Sequence, residues 1–353
     1  MRSQEAINLL KNLIATPSLS RDEEGAANVI RHYLGKNKIA FNTHHNNTWA
    51  TNLHFDPAKP TILLNSHIDT VKPNPSYTLD PYTPIEKDGK LYGLGSNDAG
   101  GSVVSLIETF IHFYLNENLT HNLLLAITAE EECSGANGIE SLLPTLPPIS
   151  AAIVGEPTLM QMAIAERGLM VVDCVSHGKA GHAAREEGDN AIFHAIKDIQ
   201  WFNSYVFPKK SELFGAVKMS VTVIAAGTQH NVVPDQCRFT VDIRTTEKYT
   251  NIEVLDFIKS NVECDVTARS TRLTPSQIDT THPLVKSGLQ LGLTTYGSPT
   301  TSDSALLGEI PTLKIGAGDS ARSHTADEFI HITEIGHAID LYIKLLSPVI
   351  TAN

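Results

Sequence analysis

Three short apolar runs in this chain, residues 61–64, 123–128 and 149–154, lead straight into ionisable residues. The first is followed by Asn65-Ser66-His67, the second by Ala129 and then Glu130-Glu131-Glu132, the third by Gly155-Glu156. Continuous apolar runs of this length, bounded by turn residues, read as strands buried on both faces. Residues 102–114 carry a helical period between the first two, and 89–94 reads as a hairpin arm entering a Gly-rich turn around Asp98. At the N-terminus Ile7, Leu10 and Ile14 share one face of a helix that stops near Pro17, and Ser20-Arg21-Asp22-Glu23 fits a capping box for a second helix to about residue 33. Buried strands alternating with helices imply an α/β layer fold, and open α/β sheets gather their sites at the carboxyl ends of strands.

The pattern changes near Gly168. Residues 169–176 alternate like a half-buried strand, 190–205 and 251–260 read as helices, and 218–225 and 238–244 read as strands. This order suggests a small ferredoxin-like α+β module. At 353 residues the chain exceeds one typical core. The expected division is therefore a first domain of residues 1–167 and 280–353, with an inserted domain of residues 168–279.

Composition narrows the function classes. Lys plus Arg is 27 and Asp plus Glu is 39, giving a net charge of −12, which argues against nucleic acid and anionic membranes as partners. The four cysteines, Cys133, Cys174, Cys237 and Cys264, form no C-x-x-C pair, so a structural zinc knot is not expected. Few cysteines in a long chain suit a reducing cytosol. The N-terminal segment reads as an amphipathic helix and not a signal peptide, and no stretch approaches the ~20 apolar residues of a spanning helix. A cytoplasmic location is expected.

The candidate site is spread along the sequence: His67 and Asp69, Asp98, Glu131 and Glu132, Glu156, and His324 in Ser323-His324-Thr325. Two imidazoles and several carboxylates suit zinc. Each piece alone has a plainer explanation. His67-x-Asp69 places two side chains on one strand face, yet alone it describes any strand-end histidine. Asp98 could be a turn aspartate satisfying local amides, although Gly93, Gly95, Gly100 and Gly101 allow close backbone approach to a buried centre. Glu130-Glu131-Glu132 could be a solvated loop, but burying three adjacent carboxylates needs a compensating cation. Glu156 could be an exposed loop acid, and His324, with Asp327 and Glu328 nearby, a surface histidine. The joint order on strand ends decides for a two-metal hydrolase.

With these residues assembled, the chain resembles the co-catalytic zinc aminoacylase and carboxypeptidase family, within it the acetylornithine deacetylase and N-acylcitrulline deacylase branch. The resemblance implies a zinc-hydrolase catalytic domain with a mixed central sheet flanked by helices, plus an inserted ferredoxin-like lid that forms a homodimer. It implies two zinc ions per chain, with cobalt or manganese as substitutes. His67 and Glu156 would hold one ion, Glu132 and His324 the other, and Asp98 would bridge both. Asp69 would orient His67, and Glu131 would be the general base. Glu130 stands where the family more often has Asp, which leaves the division of roles among the three glutamates open. Gly178-Lys179-Ala180-Gly181-His182 resembles a lid segment whose His182 would donate to the oxyanion in the partner subunit's site. Asn231, Arg244 and Thr301 would bind substrate, although Arg244 could instead pair with Asp242 or Glu247, and His182 could cap a helix.

The implied reaction is hydrolysis of the amide of an N-acetyl- or N-succinyl-amino acid of the ornithine or citrulline type, in arginine biosynthesis. A related dipeptidase, an aminopeptidase or a succinyl-diaminopimelate desuccinylase would use the same motif residues. An inactive binding protein on this fold would have lost a ligand or the base, whereas every position here is filled. A serine hydrolase is disfavoured by the absence of G-x-S-x-G, and a Cys133 nucleophile by the acids beside it.

Overall fold

The structure, a computed structural model, describes residues 2–351. The chain divides into two compact units: Met1–Ala165 with Gln277–Tyr296 and Ser302–Asn353, and Glu166–Ser276 with Gly297–Thr301.

In the first unit the strand Thr61–His67 lies at the centre of a sheet, parallel to Asn122–Thr128 on one side and to Ala151–Val154 on the other. Thr312–Lys314 extends the parallel block beyond Ala151–Val154. Antiparallel neighbours flank it: Asn47–Thr51 beside Asn122–Thr128, and Met162–Glu166 beside Thr312–Lys314. The sheet is therefore mixed. The apolar runs are continuous because alternate side chains enter two different cores. Ile62, Leu64, Leu123, Leu125, Ile127 and Ile153 pack on one face. Leu63, Leu124, Ala126, Ala152 and Val154 pack on the other. Burying one such Leu or Ile side chain is worth about 1.5–3 kcal/mol, so both faces hold the strands in register.

On the larger of these two cores, helix Gly101–Phe113 is buried along nearly its whole length and packs against Arg2–Ile14 and Ile332–Ile350. The second helix begins at Glu24, not at the proposed capping box. The Ser20 hydroxyl does not cap it; it donates instead to Asp69 Oδ2 at 2.7 Å. The helix also runs past residue 33, to Lys36.

The second unit follows the strand–helix–strand–strand–helix–strand order, with Gly168–His177, Ala191–Ser204, Lys218–Ala226, Gln236–Thr245, Asn251–Lys259 and Asp265–Ala268. Its four strands form an antiparallel sheet in which Gln236–Thr245 pairs with Lys218–Ala226 and Gly168–His177, and Asp265–Ala268 closes the other side. Asn190 and Thr250 cap the two helices, Thr250 through a reciprocal capping box with Glu253.

Candidate metal centre

The parallel strands deliver the ionisable residues to one end of the sheet. His67 is the last residue of Thr61–His67; Glu131 and Glu132 follow Asn122–Thr128, and Glu156 follows Ala151–Val154. His67 is 1% exposed and Asp69 fully buried. The His67 Nδ1 lies 3.0 Å from the Asp69 carbonyl oxygen and 3.4 Å from Asp69 Oδ1. A hydrogen on Nδ1 satisfies that side, which leaves the Nε2 lone pair for another partner. No protein group hydrogen-bonds this buried Nε2.

Around it stand carboxylates. The His67 Nε2 is 3.3 Å from Asp98 Oδ1, 3.7 Å from Glu156 Oε1 and 3.9 Å from Glu131 Oε2. The His324 Nε2 lies 3.0 Å from both oxygens of Glu132 and 3.6 Å from Asp98 Oδ2. Asp98 thus turns one oxygen to each imidazole. Ligand atoms of His67, Glu131 and Glu156 fall within 4.8 Å of one another, as do those of His67, Asp98 and Glu132. A buried lone pair without a donor, facing acids that repel one another, is the electrostatic complement of a cation. The residues fit a pair of divalent ions. His67 defines a buried side of the cluster, and His324, whose side chain is 54% exposed, an open side.

Without an ion, the acids draw a proton onto the imidazoles in its place. Burial opposes a charge on His67, but Glu131, Asp69, Asp98 and Glu156 outweigh it and raise its pKa well above the ordinary value. Burial, together with Glu156, Asp303 and Glu132, raises Glu131 well above the usual carboxylate range despite His67. The His324 imidazole is raised to about 9, first by its contact with Glu132. Asp98 is held low, because His67, Ser323 and His324 overcome its burial.

The three consecutive glutamates separate. Glu130 has φ +57°, and its carboxylate accepts from the Asn137 backbone N–H at 3.2 Å and side-chain Nδ2 at 2.9 Å. It braces its own loop, and Glu131 and Glu132 face the histidines. Asp69 fixes that arrangement: its Oδ1 accepts from Glu131 N–H at 3.0 Å and its Oδ2 from Glu132 N–H at 3.1 Å.

The supporting residues were not evident from sequence. Ser20 holds Asp69. Asp303, 3% exposed, accepts from the Thr128 hydroxyl at 2.7 Å, and burial raises it to about 6. Glu328, 2% exposed, accepts backbone N–H groups of the Asp98 turn, and burial raises it to about 7. The one hint for Glu328 was an acid abutting the apolar strand that follows His324. In the second unit His182 is exposed and its Nδ1 accepts from Ala184 N–H at 3.1 Å. The Asn231 carbonyl accepts from Ala183 N–H. Arg244 makes a two-pronged contact with Asp242 at 2.8 and 3.1 Å, the alternative pairing noted above. The Thr301 hydroxyl donates to the Arg167 carbonyl at 3.4 Å.

Comparison with known proteins now decides the family. The profile of peptidase family M20/M25/M40 matches residues 63–347. The chain belongs to this family. It is a metal-dependent amidohydrolase. Curated relatives include a succinyl-diaminopimelate desuccinylase of Wolbachia pipientis subsp. Culex pipiens, 24% identical over 97% of this chain and 92% of that enzyme. Another is succinyl-diaminopimelate desuccinylase 2 of Ruegeria sp., 26% identical over 81% of this chain and 79% of its own length. Among solved structures, a tripeptidase from Staphylococcus aureus superposes with a TM-score of 0.77 at 20% identity, covering 98% of both chains. A dinuclear metal-binding M20 peptidase from Bacillus subtilis superposes with a TM-score of 0.73 at 19% identity, covering 98% of this chain and 97% of its own. These two likenesses establish the M20 α/β fold. Among the described residues no helix is long and apolar enough to cross a membrane.

Proposed function

We propose that this M20 enzyme removes the acyl group from an N-acyl diamino acid, of the N-succinyl-diaminopimelate kind, using two divalent cations. The observation that carries the reading is the split of the Asp98 carboxylate between His67 and His324. His67 and Glu156 would hold one ion, His324 and Glu132 the other, and Asp98 both. Zinc suits this donor set, and cobalt or manganese would substitute. The desuccinylases among the relatives favour a succinyl group on a diamino acid over the acetyl-ornithine or acyl-citrulline of arginine biosynthesis.

Bound there, the ions would polarise the scissile carbonyl and make a water acidic enough to ionise near neutral pH. Glu131 takes up the proton of the attacking water and delivers it to the leaving amine. Asp69 holds His67 and the Glu131–Glu132 backbone. In this proposal His182 donates to the developing oxyanion in a partner copy's site, and Asn231 and Thr301 contact the substrate. Arg244 exchanges Asp242 for a substrate carboxylate, which a guanidinium can grip with two hydrogen bonds. A homodimer fits the second unit, whose edge strand Lys218–Ala226 leaves Val223 57% and Ile224 56% exposed.

The test is hydrolysis of N-succinyl- and N-acetyl-diaminopimelate, -ornithine, -citrulline and -lysine, together with di- and tripeptides, with and without chelator. The expected result is metal-dependent release of succinate from the diaminopimelate conjugate. Preference for free peptides would replace this reading with a peptidase, and chelator-resistant turnover would end it.

A further inference from the structure

The Asp98 turn and the segment carrying His324 are joined by hydrogen bonds between residues 222 to 233 positions apart. Glu328 supplies half of the join. Its Oε1 accepts from Asn97 N–H at 2.8 Å and from Asp98 N–H at 2.9 Å, and its Oε2 accepts from Gly95 N–H at 3.0 Å. It is delivered there by local pairing. Phe329–His331 runs antiparallel to Lys90–Tyr92, and the Glu328 carbonyl accepts from Gly93 N–H.

Asn97 supplies the other half. Its Nδ2 donates to the Asp319 carbonyl at 3.0 Å, and its Oδ1 accepts from Asp319 N–H at 2.9 Å. A Cβ at Gly318, where φ is +93°, would lie 2.4 Å from that Oδ1, so the close approach requires glycine. The turn bearing Asp98 is therefore gripped before His324 by Asn97 and after it by Glu328. Glu328, nearly inaccessible to water, thus accepts from the backbone N–H groups of both Asn97 and Asp98.

We propose that Glu328 is a positioning residue which, with Asn97, clasps the Asp98 turn to the His324 segment, so that occupancy of the two cation sites is interdependent. The proposal rests on the two-cation reading above. Asp98 faces both imidazoles, so a change in its turn reaches both sites, and the clasp carries that change to His324. An amide in place of the Glu328 carboxylate would set an N–H donor against a backbone N–H and loosen the turn.

The experiment is calorimetric titration of the metal-free full chain with zinc, repeated with cobalt to read its visible absorption. It compares wild type, Glu328→Gln and Asn97→Ala. In wild type two ions bind. In Glu328→Gln the affinity of both steps falls by about 10- to 100-fold and the cobalt spectrum changes, as for other residues that orient metal ligands. In Asn97→Ala, which leaves the Glu328 carboxylate intact, both affinities fall and the cobalt spectrum changes in the same way; this arm stands if Glu328→Gln does not fold. Two ions bound to a folded variant with wild-type affinities and an unchanged cobalt spectrum would overturn the clasp, even if thermal stability fell. A wild-type chain that takes up no ion would overturn the two-cation reading instead.

Discussion

Replacing Asp69 by Asn removes one negative charge and one acceptor from a fully buried position. Asp69 Oδ2 accepts from the Ser20 hydroxyl at 2.7 Å and from Glu132 N–H at 3.1 Å, and Oδ1 accepts from Glu131 N–H at 3.0 Å beside the His67 Nδ1. An asparagine oxygen can occupy only one of these two positions. With the oxygen toward Ser20, the new NH2 group meets the Glu131 N–H, and one buried amide loses its acceptor at a cost of about 1–3 kcal/mol. Flipped, its NH2 group meets the Glu132 N–H and strands that amide instead, while the Ser20 hydroxyl turns from donor to acceptor. The metal-free protein should therefore lose about 1–3 kcal/mol of stability in denaturant titration. Residues that orient metal ligands are worth about 10- to 100-fold in metal affinity. Since tenfold is ~1.4 kcal/mol, this is a further 1.4–2.8 kcal/mol that appears only in the zinc titration. A variant with wild-type metal-free stability and wild-type zinc affinity would refute the claim that Asp69 ties His67 to the Glu131–Glu132 loop.

Other outcomes follow from the same geometry. Glu131→Gln should bind both metals in calorimetry and lose about 10²–10⁴ in kcat, the range for a general acid–base group; unchanged turnover would remove Glu131 from the mechanism. Chelation should abolish hydrolysis, and restoring zinc at 100 times its dissociation constant should stabilise the fold by about 2.7 kcal/mol for each site filled, read in thermal melts. Arg322 grips Glu334 at 2.7 and 2.8 Å at the start of helix Ile332–Ile350. Burial pushes the Glu334 carboxyl up, but Arg322 and the His331 N–H hold it below the usual range. A depressed folded pKa contributes stability above the unfolded value near 4.5 and loses it as pH falls through the folded value. Glu334→Gln should thus cost roughly 1.5–3 kcal/mol at pH 7, and the difference from wild type should shrink in melts below pH 4.5.

The strands and principal helices were legible because burial on both faces leaves a continuous apolar run. Leu63 and Leu64 point into different cores, and both must be apolar. The ligand candidates were legible because parallel strands end on one side of a sheet, so His67, Glu131 and Glu156 needed only strand ends to meet. What joins them was not legible. The Ser20 hydroxyl looked like a helix cap because a local rule scores neighbours in sequence, whereas its acceptor, Asp69, is 49 residues away. Glu328 and Asn97 act across more than half the chain, through backbone amides that no side-chain pattern reveals. Glu130 could not be told from Glu131 and Glu132 because only its φ of +57° turns it toward Asn137. Short strands such as Phe329–His331 carry too few residues for a period to show.

We propose that distant acids and imidazoles form one cage for two cations. Anomalous diffraction from crystals grown with zinc, collected across the zinc edge, measures this. Two peaks are predicted, one beside His67 and Glu156 and one beside His324 and Glu132, with Asp98 touching both. A map without zinc at these residues, or with one ion that Asp98 does not contact, would contradict the account.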